Sequence, residues 1–197
     1  MRPSGIGAGS VTETVREAYR SALPTLLVSA LGGLLAGGIL GGMESQLEAV
    51  PGLLVVVQAF LAIRGSVYGS LGSRLSSALH QGLIAPQFEA DDRLVRAVVA
   101  ALINGVAASL IAAVLAFAAL VVLGQRVASL WTLAAIAVVG GVLSGIALTV
   151  VIVVVVFGGY RRGMNPDDLV GPAMTTAGDI FGMASLYLAT VFALGVR

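Results

Sequence analysis

Hydrophobic positions run through this chain in long blocks rather than in alternation. Residues 21–43, 97–125 and 127–160 contain no Asp, Glu, Lys or Arg. Each run exceeds the ~20 residues an α-helix needs to cross the hydrocarbon of a bilayer. Two more apolar stretches, 50–63 and 180–196, are bounded by charges. At that depth no water satisfies the backbone, so even the β-branched run 150–156 is assigned to helix. The pattern predicts an all-α integral membrane protein with five transmembrane helices, at about residues 22–43, 50–80, 94–123, 130–157 and 169–196. Ahead of them, residues 1–10 are rich in Gly, Ser and Pro. Residues 11–21 read as a short amphipathic helix on the membrane surface, or as a simple continuation of the first span. The predicted division is a tail and amphipathic helix over 1–21 and a five-helix domain over 22–197.

Punctuation within the spans refines this. Pro51 suits the first turn of the second span. That span is apolar to Ile63 and then meets Arg64, Gly65, Ser66, Ser70, Ser73 and Arg74. One long or broken helix is expected there, its second half facing protein or a water-filled cavity. Gly33/Gly37, Gly37/Gly41 and Gly38/Gly42 have small-xxx-small spacing, which serves bundle packing or a dimer or pore-lining face. The first apolar run lacks a short h-region with a cleavage site, so it is expected to remain as a helix.

Charge sets the orientation. Arg2, Arg16, Arg20, Arg93, Arg96, Arg161 and Arg162 fall on the N-terminal side of a five-span topology, and Arg126 and Arg197 on the other. The excess predicts a multi-pass cell-membrane protein with a cytoplasmic N-terminus and an external C-terminus. Trp131 then fits an external interface anchor.

Composition removes several chemistries. The 197 residues are 58% hydrophobic and 11% charged, against about 25% charged in a soluble domain. All 11 basic residues are Arg. Without Lys there is neither a Walker A loop nor a Schiff base. With no Cys there is no thiol nucleophile or thiolate metal site, and a single His excludes His-cluster sites. The net charge of +1 carries no nucleic-acid signal.

One carboxylate stands out. Asp179 lies in the last span, followed by uncharged residues 180–196. Its burial in lipid costs several kcal/mol on the order of the insertion scales, and such residues commonly mark ion pathways. Thr175 and Thr176 lie one turn upstream, where hydroxyls or freed carbonyls share its side. This is a place for a hard cation. The bland alternative is a salt bridge to Arg64 or Arg74. Arg64 would otherwise snorkel or pair with Glu44 or Glu48. Glu44 and Glu48, on a short acidic connector, are entrance candidates or solvated loop charges. Asp167 and Asp168 begin the fifth span, as ion-exit candidates or as complements of the helix dipole. Asn104 reads as a bond to a neighbouring helix, and His80 as structural.

Three blocks carry a family resemblance. Leu23-Pro24-Thr25-Leu26-Leu27 through Gly42-Met43-Glu44-Ser45-Gln46-Leu47-Glu48-Ala49-Val50-Pro51 resembles the first span and acidic connector of the MgtE family of magnesium channels. Gly65-Ser66-Val67-Tyr68-Gly69-Ser70-Leu71-Gly72-Ser73-Arg74-Leu75-Ser76-Ser77 is similar to the Gly-Asn…Ser-Arg-Leu-Ser segment of the related solute carrier family 41. Asn165-Pro166-Asp167-Asp168, Gly171-Pro172 and Thr175-Thr176-Ala177-Gly178-Asp179 resemble that family's last block. The blocks keep their order along nearly the whole chain. Ser66 stands where the family has Asn, and Asn165 where it has Asp.

The resemblance implies five helices, a pore at a two-fold interface, and magnesium held by an Asp that maps to Asp179. A backbone carbonyl maps to Thr175 and a further ligand position to Gly171. Ser66, Thr176, Asp167, Asp168, Glu44 and Glu48 are pore or entrance candidates. A single domain implies a homodimer, and Mg²⁺ is the transported or bound ion, with no organic cofactor. The expected function is divalent-cation transport, not catalysis, and no catalytic residue is assigned. The alternatives are a non-transporting structural membrane subunit, or an intramembrane hydrolase built on Leu143-Ser144-Gly145.

Overall fold

The computed structural model describes residues 8–86 and 91–195; Arg2 and Arg197 lie outside them. The described chain is helical, without strands: α1 (Ala8–Gly41), α2 (Glu44–Ala49), α3 (Leu53–His80), α4 (Asp92–Val122), α5 (Leu130–Arg161) and α6 (Pro166–Gly195). Helices α3, α4, α5 and α6 are each long and apolar enough to cross a membrane. In α1 the apolar stretch is shorter, Leu26–Gly41. Residues 11–21 form no separate amphipathic helix; they are the N-terminal part of α1, which runs on through Pro24. The second span, expected as long or broken, is one unbroken helix.

Local chemistry sets the ends. Asp91 caps α4, its Oδ1 accepting from the backbone N–H of Arg93 at 2.7 Å. Ser129 does the same for α5, accepting from Thr132 N–H at 3.2 Å. Asn165 precedes Pro166 and accepts from Asp167 N–H at 3.3 Å, a good start for α6. The acidic connector is itself a short helix, α2. Pro51 is not in the first turn of α3 but in the turn before it. Gly52 follows with φ 89°, a left-handed conformation that redirects the chain and starts the helix two residues later than Pro51 would. Pro51 O accepts from Ala128 N–H at 2.8 Å, tying this turn to the α4–α5 connector. At the other end Arg161 Nε donates to Pro86 O at 2.5 Å.

Helix α6 is central, packing on α5 most extensively and also on α1 and α3, while α4 packs on α3 and α5. Helix α1 packs chiefly on α6. The core has two apolar clusters. One gathers Met43, Leu53, Phe60, Leu133, Ile136, Met183 and Leu186, and the other Leu71, Leu75, Leu148, Ile152, Val156, Val170 and Met174.

Between them lies Arg64, 0% exposed. Its Nη1 donates to Ser144 Oγ at 3.0 Å and Gly141 O at 3.3 Å. Its Nη2 donates to Gly105 O at 2.7 Å and to Ser109 Oγ. The guanidinium carbon stands 4.3 Å from the centre of the Phe60 ring, a cation–π contact. Ser109 and Ser144 in turn donate to Gly105 O and Gly140 O, at 2.6 and 2.7 Å. Arg64 therefore neither snorkels nor pairs with Glu44 or Glu48: four oxygens of α4 and α5 satisfy its terminal N–H groups inside the bundle. Small residues make this possible. A Cβ on Gly145 would stand 2.5 Å from the Tyr68 hydroxyl, and one on Gly105 2.8 Å from it. In lipid, where apolar surface alone does not drive helices together, close approach and interhelical hydrogen bonds do.

Arg64→Ala should lower unfolding stability in detergent by about 3–5 kcal/mol, the scale for disrupting a buried charged network. Arg64→Lys, with three donors in place of five, should fall between alanine and wild type. Thermal or denaturant unfolding followed by circular dichroism measures this; a loss below about 1 kcal/mol for the alanine variant would contradict the network's role.

Candidate cation site

Helix α6 is placed by its smallest residues. Gly178 faces α3: a Cβ there would stand 3.6 Å from Arg64 Cβ and 3.9 Å from the Gly65 nitrogen. Gly182, one turn on, meets Leu61 of α3. Thr176 faces α1, where any side chain at Gly32 would collide with it. At about 100° per residue, Thr175 and Asp179 project into the sector between the α3-facing and α1-facing sides. The sequence therefore stacks Gly171, Thr175 and Asp179 at i, i+4 and i+8 along one open side of α6. Gly171 and Thr175 are exposed and Asp179 is half-buried.

The Asp179 carboxylate has no hydrogen bond and no ion pair with any described residue. The two arginines that could have neutralised it are elsewhere. Arg64 turns its guanidinium away toward α4 and α5, and Arg74 borders a crevice between α3 and α4. The salt bridge left open by the sequence is not formed. The charge is held in place by backbone packing on both sides, with its oxygens free.

Thr175 Oγ1 donates to Gly171 O at 3.0 Å, so these two positions are tied to each other. Helix α6 is continuous through Pro172. Proline removes the donor that would meet the carbonyl four residues back. The carbonyl relieved of its helical partner therefore belongs to Asp168. Thr176 Oγ1 is buried without a hydrogen-bond partner. It borders a cavity of about 640 Å³ between α1, α5 and α6, which Arg162 and Asp168 also line.

The remaining candidates are spread along the molecule. Asp167 and Asp168 are exposed in the first turn of α6, where they complement the helix dipole. Eleven residues separate Asp168 from Asp179, about 16 Å along the axis. Glu44 and Glu48 are exposed on α2, at the opposite end of the bundle. Ser66 is exposed on α3, donates to Ala62 O at 3.1 Å, and opens on the α3–α4 crevice with Asn104. The structure thus brings Gly171, Thr175 and Asp179 onto one side of one helix and leaves the others apart. Among the described residues no three His, Cys, Asp or Glu side chains gather as a metal cluster.

Two open glycine surfaces flank this region. A Cβ at Gly33, Gly37, Gly38 or Gly41 of α1 would meet nothing within 4 Å, nor would one at Gly65 or Gly69 of α3. Of the α1 glycines, Gly32 does the packing within the chain. His80 is structural, with Nδ1 2.9 Å from Ser76 O and its ring edge-on to Tyr160. Ser144, the serine of the Leu-Ser-Gly triplet, has its hydroxyl engaged by Gly140 O and by Arg64.

The buried network around Arg64 went unread in the sequence. Its signal was present as Gly105/Ser109 and Gly141/Gly145, small residues four apart on two neighbouring spans, with Ser144 beside the second pair. Nothing in one dimension connected either pair to Arg64.

The profile of MgtE, described as a divalent cation transporter, matches residues 57–189. That is well over half of the 197 residues, and it takes in most of α3, all of α4 and α5, and α6 past Asp179. The chain belongs to the MgtE family of divalent cation transporters.

Proposed function

We propose that this protein conducts Mg²⁺ across the cell membrane, with Asp179 as its main ion-binding group and the pore at a homodimer interface. The observation that carries this is the Asp179 carboxylate: embedded in a membrane-crossing helix and without a partner among the described residues. An ionised group in that position needs water, a cation or both. Mg²⁺ holds its octahedral water shell tightly and uses few direct carboxylates. One Asp from each of two subunits suits a mostly hydrated ion, in the manner of the charged rings of cation pores.

The surroundings support the same reading. Thr175 and Gly171 continue the oxygen-bearing side of α6 toward the Asp167–Asp168 end, and Thr176 adjoins it. Glu44 and Glu48 at one mouth, and Asp167 and Asp168 at the other, raise the local cation concentration. The open glycines of α1 and α3 give a second subunit room for close backbone approach. In this arrangement α1 supplies the fifth crossing. The arginine-rich end of the bundle, with Arg93, Arg96, Arg161 and Arg162, is cytoplasmic, as is the N-terminus.

In proteoliposomes with an entrapped Mg²⁺ indicator, the wild-type protein should admit Mg²⁺. Asp179→Ala and Asp179→Asn should reduce the flux by about tenfold or more, equivalent to roughly 1.4 kcal/mol of lost ion stabilisation. Undiminished flux in both variants would remove Asp179 from the pathway, and an inert wild type would favour a structural subunit. Repeating the measurement with an imposed Na⁺ or pH gradient separates passive from coupled transport.

The chain has no cysteine, so single substitutions report without background. Thr175→Cys and Asp179→Cys should react with a membrane-impermeant thiol reagent, and Thr175→Cys, which keeps Asp179, should react more slowly in millimolar Mg²⁺. Met174→Cys and Ala177→Cys, at buried positions of the same helix, should stay unmodified. Labelling of Thr175→Cys and Asp179→Cys only by lipid-soluble reagents would place that side of α6 against lipid and overturn the pore.

A further inference from the structure

A second polar site lies on the other flank of α3. Ser66, Ser70 and Arg74, at i, i+4 and i+8, border a crevice of about 260 Å³ between α3 and α4, with Asn104 and Ala97, Ala100 and Ala101 opposite. Arg74 is exposed and makes no hydrogen bond or ion pair with a described residue, and the same holds for the Ser70 and Asn104 side chains. No carboxylate lines the crevice. Its polar groups are therefore a guanidinium, an amide and hydroxyls: a donor set that suits an anion. Val67, Leu71 and the three alanines supply an apolar wall beside it.

Depth narrows the ligand. Helix α3 has 28 residues, about 42 Å at 1.5 Å per residue. Against a hydrocarbon core of ~30 Å, each end projects about 6 Å into the headgroup zone. Arg74 is six residues from the His80 end, about 9 Å along the axis. It sits near the boundary between headgroups and acyl chains. Ser70 is one turn deeper, about 15 Å from the same end. This is also the end that carries Arg93, Arg96, Arg161 and Arg162, and basic pockets between transmembrane helices on the cytoplasmic side bind anionic lipid headgroups.

We propose that the α3–α4 crevice binds an anionic phospholipid, with Arg74 on the phosphodiester and Ser70 and Asn104 lying deeper, beside the acyl chain. The planar guanidinium offers two parallel N–H groups to two phosphate oxygens. The alanine face of α4 leaves room for the first acyl methylenes. The occupant neutralises a guanidinium held at the edge of the hydrocarbon. This site is separate from the Asp179 side of α6 and does not rest on the transport reading.

Native mass spectrometry of the full chain in neutral detergent tests it, alongside thermal unfolding with phosphatidylglycerol, phosphatidylcholine or inorganic phosphate added. Wild type should retain phosphatidylglycerol at least about tenfold more tightly than phosphatidylcholine, with a matching rise in Tm. Arg74→Gln should abolish that preference. Asn104→Leu, which leaves the charge in place and lies below the headgroup, should keep the preference. Equal retention of the two lipids by wild type would overturn the proposal, as would an undiminished preference in Arg74→Gln. Stabilisation by inorganic phosphate alone, equal to that by phosphatidylglycerol, would assign the site to a free anion and also overturn it. Protection of an Arg74→Cys variant from thiol reagents only when the protein is dimeric would assign the crevice to a second copy instead.

Discussion

A guanidinium with no carboxylate partner among the described residues sits at the centre of this bundle. Burying an arginine costs several kcal/mol even after relaxation, yet Arg64 is fully enclosed. What offsets that cost is a set of neutral oxygens at the right distances: two helix carbonyls and two serine hydroxyls, all on α4 and α5, with the Phe60 ring against one face. A carboxylate would satisfy the charge with one partner. Four dipoles require three helices to be placed together, so the arginine acts as a gauge of their spacing. The serines engage their own hydroxyl protons on the preceding turn and turn lone pairs toward the cation. The glycines at Gly105, Gly141 and Gly145 are the geometric condition for this.

That arrangement bears on Asp179. A Cβ added at Gly178 would stand 3.6 Å from Arg64 Cβ, so the arginine and the helix that carries Asp179 are neighbours. They nevertheless do not pair, because the acceptors on α4 and α5 draw the guanidinium to the far side of α3. A salt bridge between them would consume both charges and close the open side of α6. The oxygens of Ser109 and Ser144 therefore act on the Asp179 carboxylate without approaching it: they keep the Arg64 guanidinium occupied.

Four of the five expected spans, those of α3 to α6, were plain in the sequence, since long apolar runs are a one-dimensional signal. That Thr175 shares a side with Asp179 was legible for the same reason, as a helix converts spacing into direction by a fixed rule; Gly171 came only with the family resemblance. What could not be read was anything set by a partner from another helix. Arg64 looked like a snorkelling or salt-bridging residue because its acceptors are 41 to 80 residues away along the chain. Pro51 looked like a first-turn proline because the left-handed turn at Gly52 has no signature beyond the glycine itself. Residues 11–21 carry enough charge to resemble a surface helix, yet nothing in them breaks the helical path into residues 22–41.

The peripheral position of α1 has a mechanical consequence. Three helices are cross-braced by Arg64, and α6 is clasped between them and α1. Helix α1 itself is seated along essentially one seam, where Gly32 meets Thr176. Thr176 is adjacent to Thr175 and less than one turn from Asp179. The level of Asp179 is therefore where α1 and α6 bear most directly on each other.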